Sequence, residues 1–360
     1  MSGIWGNKIK LSIFGESHGK SVGITIDGLK PGIKIDLEYI RGQMKRRAPG
    51  FTEFSTARRE EDNFQILSGY FKGKTTGTPL CAIILNNDTH SEHYEKTSDI
   101  LRPGHADFTG KVKYNGFNDY RGGGHFSGRL TAPLVFAGAL CRNILEERGI
   151  IIGSRIESIG TIKDKKSFDV VSTDENMLRE LSKDKFPVLD EDYCKKMKDS
   201  ILKTKSEGDS LGGIVETIVL NLPAGIGDPF FDSVESTLSH LLFSIPAVKG
   251  VEFGMGFNMT TMKGSEANDE YYMSEDHKIK TYTNNNGGIL GGITDGMPLV
   301  FRAAVKPTPS IAKPQRTVNI RNEKKEILKI EGRHDPCIVP RAVPVIEAVT
   351  AIGILNLMDE

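Results

Sequence analysis

Residues 15–21 read GESHGKS and residues 102–110 read RPGHADFTG, so that His18 and His105 each stand in a glycine-bounded loop next to an apolar strand or turn. An imidazole with an ordinary pKa of about 6.5 takes up or releases a proton near neutrality after only a small environmental push, and a loop can aim it at a ligand. His18 and His105 are therefore the candidate acid-base groups. His90, His93, His240 and His277 lie in polar surroundings or on a helix and read as solvated structural residues. His334, in GRHDP, reads equally well as a loop residue oriented by its neighbours. The Gly-Lys-Ser at 19–21 raises the question of a nucleotide phosphate loop, G-x-x-x-x-G-K-[ST] followed directly by a helix. The first glycine of that loop should occupy position 14, which is Phe14, and Ser21 is followed by Val22, Ile24 and Ile26 in strand alternation. GESHGKS is predicted to be a turn between two strands.

Five stretches combine glycine with His, Arg, Asn or Asp: 15–21, 102–110, DYRGGGHFSGR at 119–129, NNNGGILGGITDG at 284–296 and GRHDPC at 332–337. The triplet Gly122–Gly124 and the pairs at 287–288 and 291–292 are costly to order and pack nothing. Their recurrence beside titratable and cationic residues suggests backbone closely approaching one large ligand. KRR at 45–47 ends a predicted helix and ARRE follows at 57–60, while Arg102, Arg121, Arg129, Arg333 and Arg341 lie within or beside the glycine loops. Guanidinium forks suit carboxylate and phosphate, so a small ligand with several negative groups is implied. RGGGHFSGR as an RNA-binding segment is disfavoured, being single, short and framed by apolar elements in a chain without basic excess.

These loops need a scaffold. Strand patterns run through Ile9–Phe14, Val22–Leu29, Gln65–Phe71, Leu80–Leu85, Gly149–Ile162, Gly213–Leu222, Leu299–Val305 and Glu326–Glu331. Helical periodicity is clearest over 130–149, 230–245 (with Asp232 as a cap) and 340–358, and weaker over 36–47 and 190–208. Strands arriving in runs argue for antiparallel pairing and an α+β fold. The first and last of the three clear helices are almost uncharged through their middles, which calls for cover on most sides, as in a helical layer between sheets. No repeat or linker tract divides the 360 residues, so residues 1–360 read as one domain. Lys+Arg and Asp+Glu both number 47, which removes any general electrostatic attraction to nucleic acid or membrane. Four cysteines without metal-ligand spacing, no apolar run of membrane-spanning length and no signal-like N-terminus predict a soluble cytoplasmic protein with reduced thiols and no metal.

Taken together, GESHG, RRAPG at 46–50, STARREED at 55–62, TTGTP, RPGHAD, DYRGGG, GDSLGG at 208–213, PAVKGVEFG at 246–254, GGILGGI, KPTPSI and GRHDPC-x-x-x-RAVP occur in the order and spacing of one family. Across nearly its whole length the chain resembles chorismate synthase. The resemblance implies a β-α-β sandwich with helices between two antiparallel sheets, usually assembled as a homotetramer. It implies a lyase that converts 5-enolpyruvylshikimate 3-phosphate to chorismate and phosphate by anti-1,4-elimination, using reduced FMN without net redox change. That substrate carries two carboxylates and a phosphate, which fits clustered arginines on a neutral chain.

The resemblance also assigns roles. His18 matches the histidine that protonates the departing phosphate, with Ser17 beside it as a relay, and His105 matches the histidine that protonates the reduced flavin. Asp335 matches the aspartate that helps the flavin N5 act as base. Arg46, Arg47 and Arg129 match substrate contacts, and Arg333 a flavin or substrate contact. Ser127, Ala247, Gly291, Lys306, Thr308 and Ser310 match the flavin shell, with Lys306 facing the FMN phosphate. Two departures stand out. Where many members read RSSxRE after the triplet, this chain has His125-Phe126-Ser127-Gly128-Arg129-Leu130, leaving His125 as a substitute donor. Position 53, often a second arginine near the pyridine-nucleotide site, is Glu53, which weakens the expectation of NADPH-dependent flavin reduction by this chain and leaves room for a separate reductase. An ATP-dependent kinase and a non-catalytic flavin carrier are the alternative readings.

Overall fold

A computed structural model describes residues 3–50, 60–87, 98–168, 173–330 and 334–358. Glu53, Arg58, Arg59, His90, His93 and Arg333 lie outside the described residues. Two five-stranded antiparallel sheets enclose a layer of helices. The first sheet has the order β1-β2-β3-β5-β4, where β1 is Ile4–Trp5, β2 Lys10–Gly15, β3 Ser21–Asp27, β4 Phe64–Ser68 and β5 Leu80–Leu85. The second has the order β9-β10-β8-β6-β7, with β6 Ile151–Ile159, β7 Ile162–Lys163, β8 Gly213–Leu220, β9 Val248–Phe253 and β10 Leu299–Val305.

Between them lie α1 (Leu37–Arg47), α3 (Thr131–Glu147), α6 (Val234–Ser244) and α7 (Val339–Leu357). Helix α3 packs on β3, β5 and α7, and α7 packs on β6, β8 and α6. The absence of a polar face on α3 and α7 has this cause: nearly every residue of both is buried. The two helices touch at Gly138, where a Cβ would fall 2.3 Å from the Cβ of Ala348. Three shorter helices complete the main elements: α2 (Asp107–Lys113) beside the glycine loops, and α4 (Glu175–Leu181) and α5 (Glu191–Ser206) over β6. This outer cover buries β6 on both faces, so that Ser154, Arg155, Glu157 and Ser158 are buried along with its isoleucines.

Three expectations need correction. The cap of α6 is Ser233, whose side chain accepts from Ser236 N, while Asp232 exchanges backbone hydrogen bonds with Asp228. Strand β9 was not foreseen, because VKGVEF has a lysine, a glycine and a glutamate in six residues and no clean alternation. Finally, α7 is long and apolar enough to cross a membrane, contrary to the expectation that no run approaches that length, but 89% of its apolar window is buried inside the protein.

Candidate active site

GESHGKS is the hairpin connection between β2 and β3, whose register pairs Gly15 with Val22. No helix follows Ser21, in agreement with the strand alternation. Gly19 N donates to Glu16 O at 3.0 Å, closing a tight turn that carries Ser17 and His18. The 119–130 segment lies against it. Ser17 N donates to Gly124 O (3.1 Å), and His125 Nδ1 lies 2.9 Å from Gly15 O. Gly122 meets the imidazole itself: a Cβ there would fall 2.1 Å from His18 Cε1 and 2.2 Å from Nδ1. All three glycines of the triplet have positive φ, which favours glycine throughout, and at Gly122 and Gly124 there is also no space for a Cβ. The triplet thus lets main chain press on His18 and on Ser17, which is 1% exposed.

Arg47, in the last turn of α1, and Arg129, just before α3, converge on one buried carboxylate. Arg47 Nε donates to Asp62 Oδ2 at 2.7 Å and its NH2 nitrogen bonds the same oxygen. Arg129 bonds Asp62 Oδ1 and pairs with Glu60 at 3.2 Å. The two guanidinium groups hold the Asp62 carboxyl below the usual carboxylate range against the opposing effect of burial. Thr131 receives a hydrogen bond from Arg47 (3.3 Å) and Arg341, in the first turn of α7, donates through Nε to Arg47 O (3.0 Å). The N-terminal turns of α3 and α7 therefore flank Arg47.

The second histidine belongs to a loop pair. Arg102 grips Asp107 through its backbone N (2.9 Å), Nε (2.8 Å) and NH2 (2.7 Å), fixing the RPGHAD turn at the start of α2. KPTPS folds over that turn. Lys306 Nζ donates to Gly104 O at 2.8 Å, and His105 Nε2 is 2.8 Å from Ser310 Oγ. Lys306 N in turn donates to Ala247 O (2.9 Å), and Ser210 Oγ to Thr308 O (2.6 Å), so GDSLGG and PAVKG brace the same loop. Burial first, then the positive charge of Arg102, push the His105 pKa down to about 4; Asp107 opposes this, and His334 and Lys306 add to it. His105 is thus neutral at pH 7, displaced in the opposite direction from a proton donor.

Residues 334–337 link the two groups. Asp335 is bonded to Arg341 at 2.5 Å, Arg341 reaches Arg47, His334 acts on His105, and Pro336 O accepts from Leu211 N at 2.8 Å. The structure therefore brings together Ser17, His18, His125, Ser127, Arg129, Arg47 and Asp335 on one side, and His105, Ala247, Lys306, Thr308 and Ser310 on the other. Two residues stand away. Arg46 bonds Gln43 and Glu347, sharing that buried carboxylate with Arg142 inside the helical layer. Gly291 lies in the hairpin whose Gly292 O accepts from Val234 N at the start of α6, whereas Ala247 follows the other end of that helix. Asp62 and Asn86 carry connections for which the sequence gives no role, and Arg341, expected as an anion grip, instead bonds Asp335 and Arg47. Asp62 lies in the arginine-rich run and Arg341 in the RAVP motif, but a lone asparagine after a strand has no distinguishing pattern.

The whole arrangement matches known proteins. Residues 9–358 match the family model described as chorismate synthase. Over 347 residues the chain is 49% identical to the chorismate synthase of Pyrococcus abyssi, covering 96% of this chain and 94% of that protein. It is 47% identical over 357 residues to that of Dehalococcoides mccartyi strain BAV1, covering 99% and 96%. A crystal structure of chorismate synthase superposes with a TM-score of 0.77 at 29% identity, covering 98% of this chain and 92% of the other. With the glycine triplet, the paired histidine loops and the full-length match all in agreement, the chain belongs to the chorismate synthase family.

Proposed function

We infer that this chain, acting as one catalytic unit, converts 5-enolpyruvylshikimate 3-phosphate to chorismate and phosphate by anti-1,4-elimination, the last common step toward the aromatic amino acids. The observation that carries this reading is the convergence of His18 and the Arg47–Asp62–Arg129 cluster with the His105–Ser310–Lys306 loop pair through Asp335 and Arg341. His18 supplies the proton to the departing phosphate, with Ser17 Oγ beside it. Arg47 and Arg129 orient the substrate's anionic groups, each held in one geometry by Asp62.

Reduced FMN fits the second loop pair. Thr308 Oγ1 is buried with no protein partner, leaving a donor and acceptor for a ligand, and Lys306 offers a positive charge toward a phosphate. Ala247 and Ser310 border the same place, and His125, Ser127 and Arg333 complete the shell on this reading. When bound, the reduced flavin lends electron density as the phosphate leaves and assists removal of the C6 hydrogen. Asp335 orients the neighbouring groups through Arg341, and His105, with Nε2 beside Ser310 Oγ, would hold a proton next to the flavin site. A bound anion would add to the negative charge of Asp107 and raise the proton affinity of His105 from the depressed value of about 4. Homotetramer assembly, a cytoplasmic location, and reduction of FMN by NADPH or by a separate reductase belong to the same reading.

Strictly anaerobic assay with chemically reduced FMN, the enolpyruvyl substrate, and neither ATP nor metal should release phosphate. Release that requires ATP would overturn the reading in favour of a kinase, and binding of flavin without any release would leave a carrier.

A further inference from the structure

We propose that Asn86 is a positioning residue that couples the turn bearing His18 to Arg129; the assignment deepens the functional reading above and rests on it. Asn86 directly follows β5, whose Leu85 pairs with Ser21 across the sheet. Its backbone N donates to Lys20 O at 3.2 Å, continuing the ladder past the strand end. Its side-chain nitrogen donates to Glu16 O at 3.0 Å and to Gly19 O at 2.9 Å, the two carbonyls that bracket Ser17 and His18. Its Oδ1 accepts from Arg129 Nε at 2.9 Å. The preceding residue takes part as well, because Leu85 O accepts from the NH2 group of Arg129 at 3.1 Å.

A carboxamide is suited to this place because it presents two N–H donors and an acceptor on one short stem. Both donors are spent on the ends of one turn, and the acceptor is spent on the guanidinium. The proton donor and the anion grip are thereby tied to a single planar group, so that their separation is set by the length of one amide. Aspartate has nearly the same shape and keeps the acceptor toward Arg129, but it turns carboxylate oxygen against two carbonyl oxygens. The substitution Asn86→Asp therefore breaks the link to His18 while leaving the link to Arg129.

The test compares turnover with reduced FMN and, separately, calorimetric binding of the substrate to the flavin-free chain. N86D should lower kcat about 100-fold, the loss expected for misplacing a reacting group by about an ångström, with KM and the calorimetric Kd within about twofold of wild type. N86A, which cuts both links, should lower kcat to a similar degree and weaken Kd about tenfold. In a His18→Ala background, N86D should cost less than about threefold, since a residue acting through His18 has nothing left to position. A merely structural role would cost the same factor in both backgrounds and would reduce the calorimetric stoichiometry along with kcat. Should N86A fail to fold, N86D carries the test, its binding stoichiometry reporting the folded fraction. Wild-type phosphate release judges the functional reading by itself; given that release, an N86D kcat within threefold of wild type, or an equal cost in the two backgrounds, overturns the assignment to Asn86 alone.

Discussion

The imidazole of His18 is pressed by Gly122, and that contact makes the first residue-scale prediction. His18→Ala should lower kcat by about 10²–10⁴-fold, as for loss of a general acid-base group, and stopped-flow phosphate detection would measure it; near-normal turnover would remove His18 from the chemistry. His105 gives a prediction about stability. Its folded pKa of about 4 lies below the unfolded value near 6.5, so between these values the unfolded chain binds the extra proton. The contribution is present above about pH 6.5 and is lost as pH falls toward 4. The stability gap between wild type and His105→Gln should therefore shrink between pH 7 and pH 5 by on the order of 1–2 kcal/mol, read from urea midpoints at each pH; an unchanged gap would refute the buried, neutral imidazole. Residue types and glycine company marked both histidines in the sequence, but their electrostatics were not legible there. The charges acting on His105 come from Arg102, Asp107, His334 and Lys306, and the last two are brought to it only by the fold.

At the scale of elements, the crossing of α3 and α7 is set by Gly138. Alanine at an exposed helical position would add about 1 kcal/mol of propensity, but here its Cβ meets the main chain and Cβ of Ala348 at 2.3–2.5 Å. Overpacking of that kind costs about 1–3 kcal/mol, and because backbone cannot swing aside the upper end applies. Gly138→Ala should be net destabilising by about 2 kcal/mol, with a lower thermal midpoint by calorimetry; a stabilised variant would mean that the helices are farther apart than described. The long buried helices and the regular strands were readable because their periods are long or their runs apolar. Strand β9 was not, since Lys249, Gly250 and Glu252 interrupt any two-residue alternation of apolar and polar residues. The capping of α6 by Ser233 instead of Asp232 is a one-residue difference that depends on the reciprocal bridge between Asp228 and Asp232, a tertiary detail without a sequence signature.

At the scale of the whole molecule, equal numbers of acidic and basic residues coexist with a strongly organised local charge pattern, in which Arg47 and Arg129 are matched by Asp62 and Glu60. The neutral bulk charge removed a general electrostatic attraction to nucleic acid or membrane, and the glycine-rich loops suggested one shared ligand, yet which loops touch which was not legible because each belongs to a different connection. Burial pushes the thiols of Cys141 and Cys337 up to about 12, whereas Cys81 and Cys194 are partly exposed. The native protein should react with a thiol reagent at no more than two sites quickly, the rest appearing only on denaturation; four fast thiols would contradict the buried positions. The placement of α7 has a further bearing on how the chain is made. This helix follows every strand in chain order and yet occupies the middle of the sandwich, against β6, β8, α3 and α6. A nascent chain on the ribosome must therefore hold the inner face of the second sheet and the facing sides of α3 and α6 uncovered until α7 has emerged, and for that interval it presents a surface on which chaperones would act.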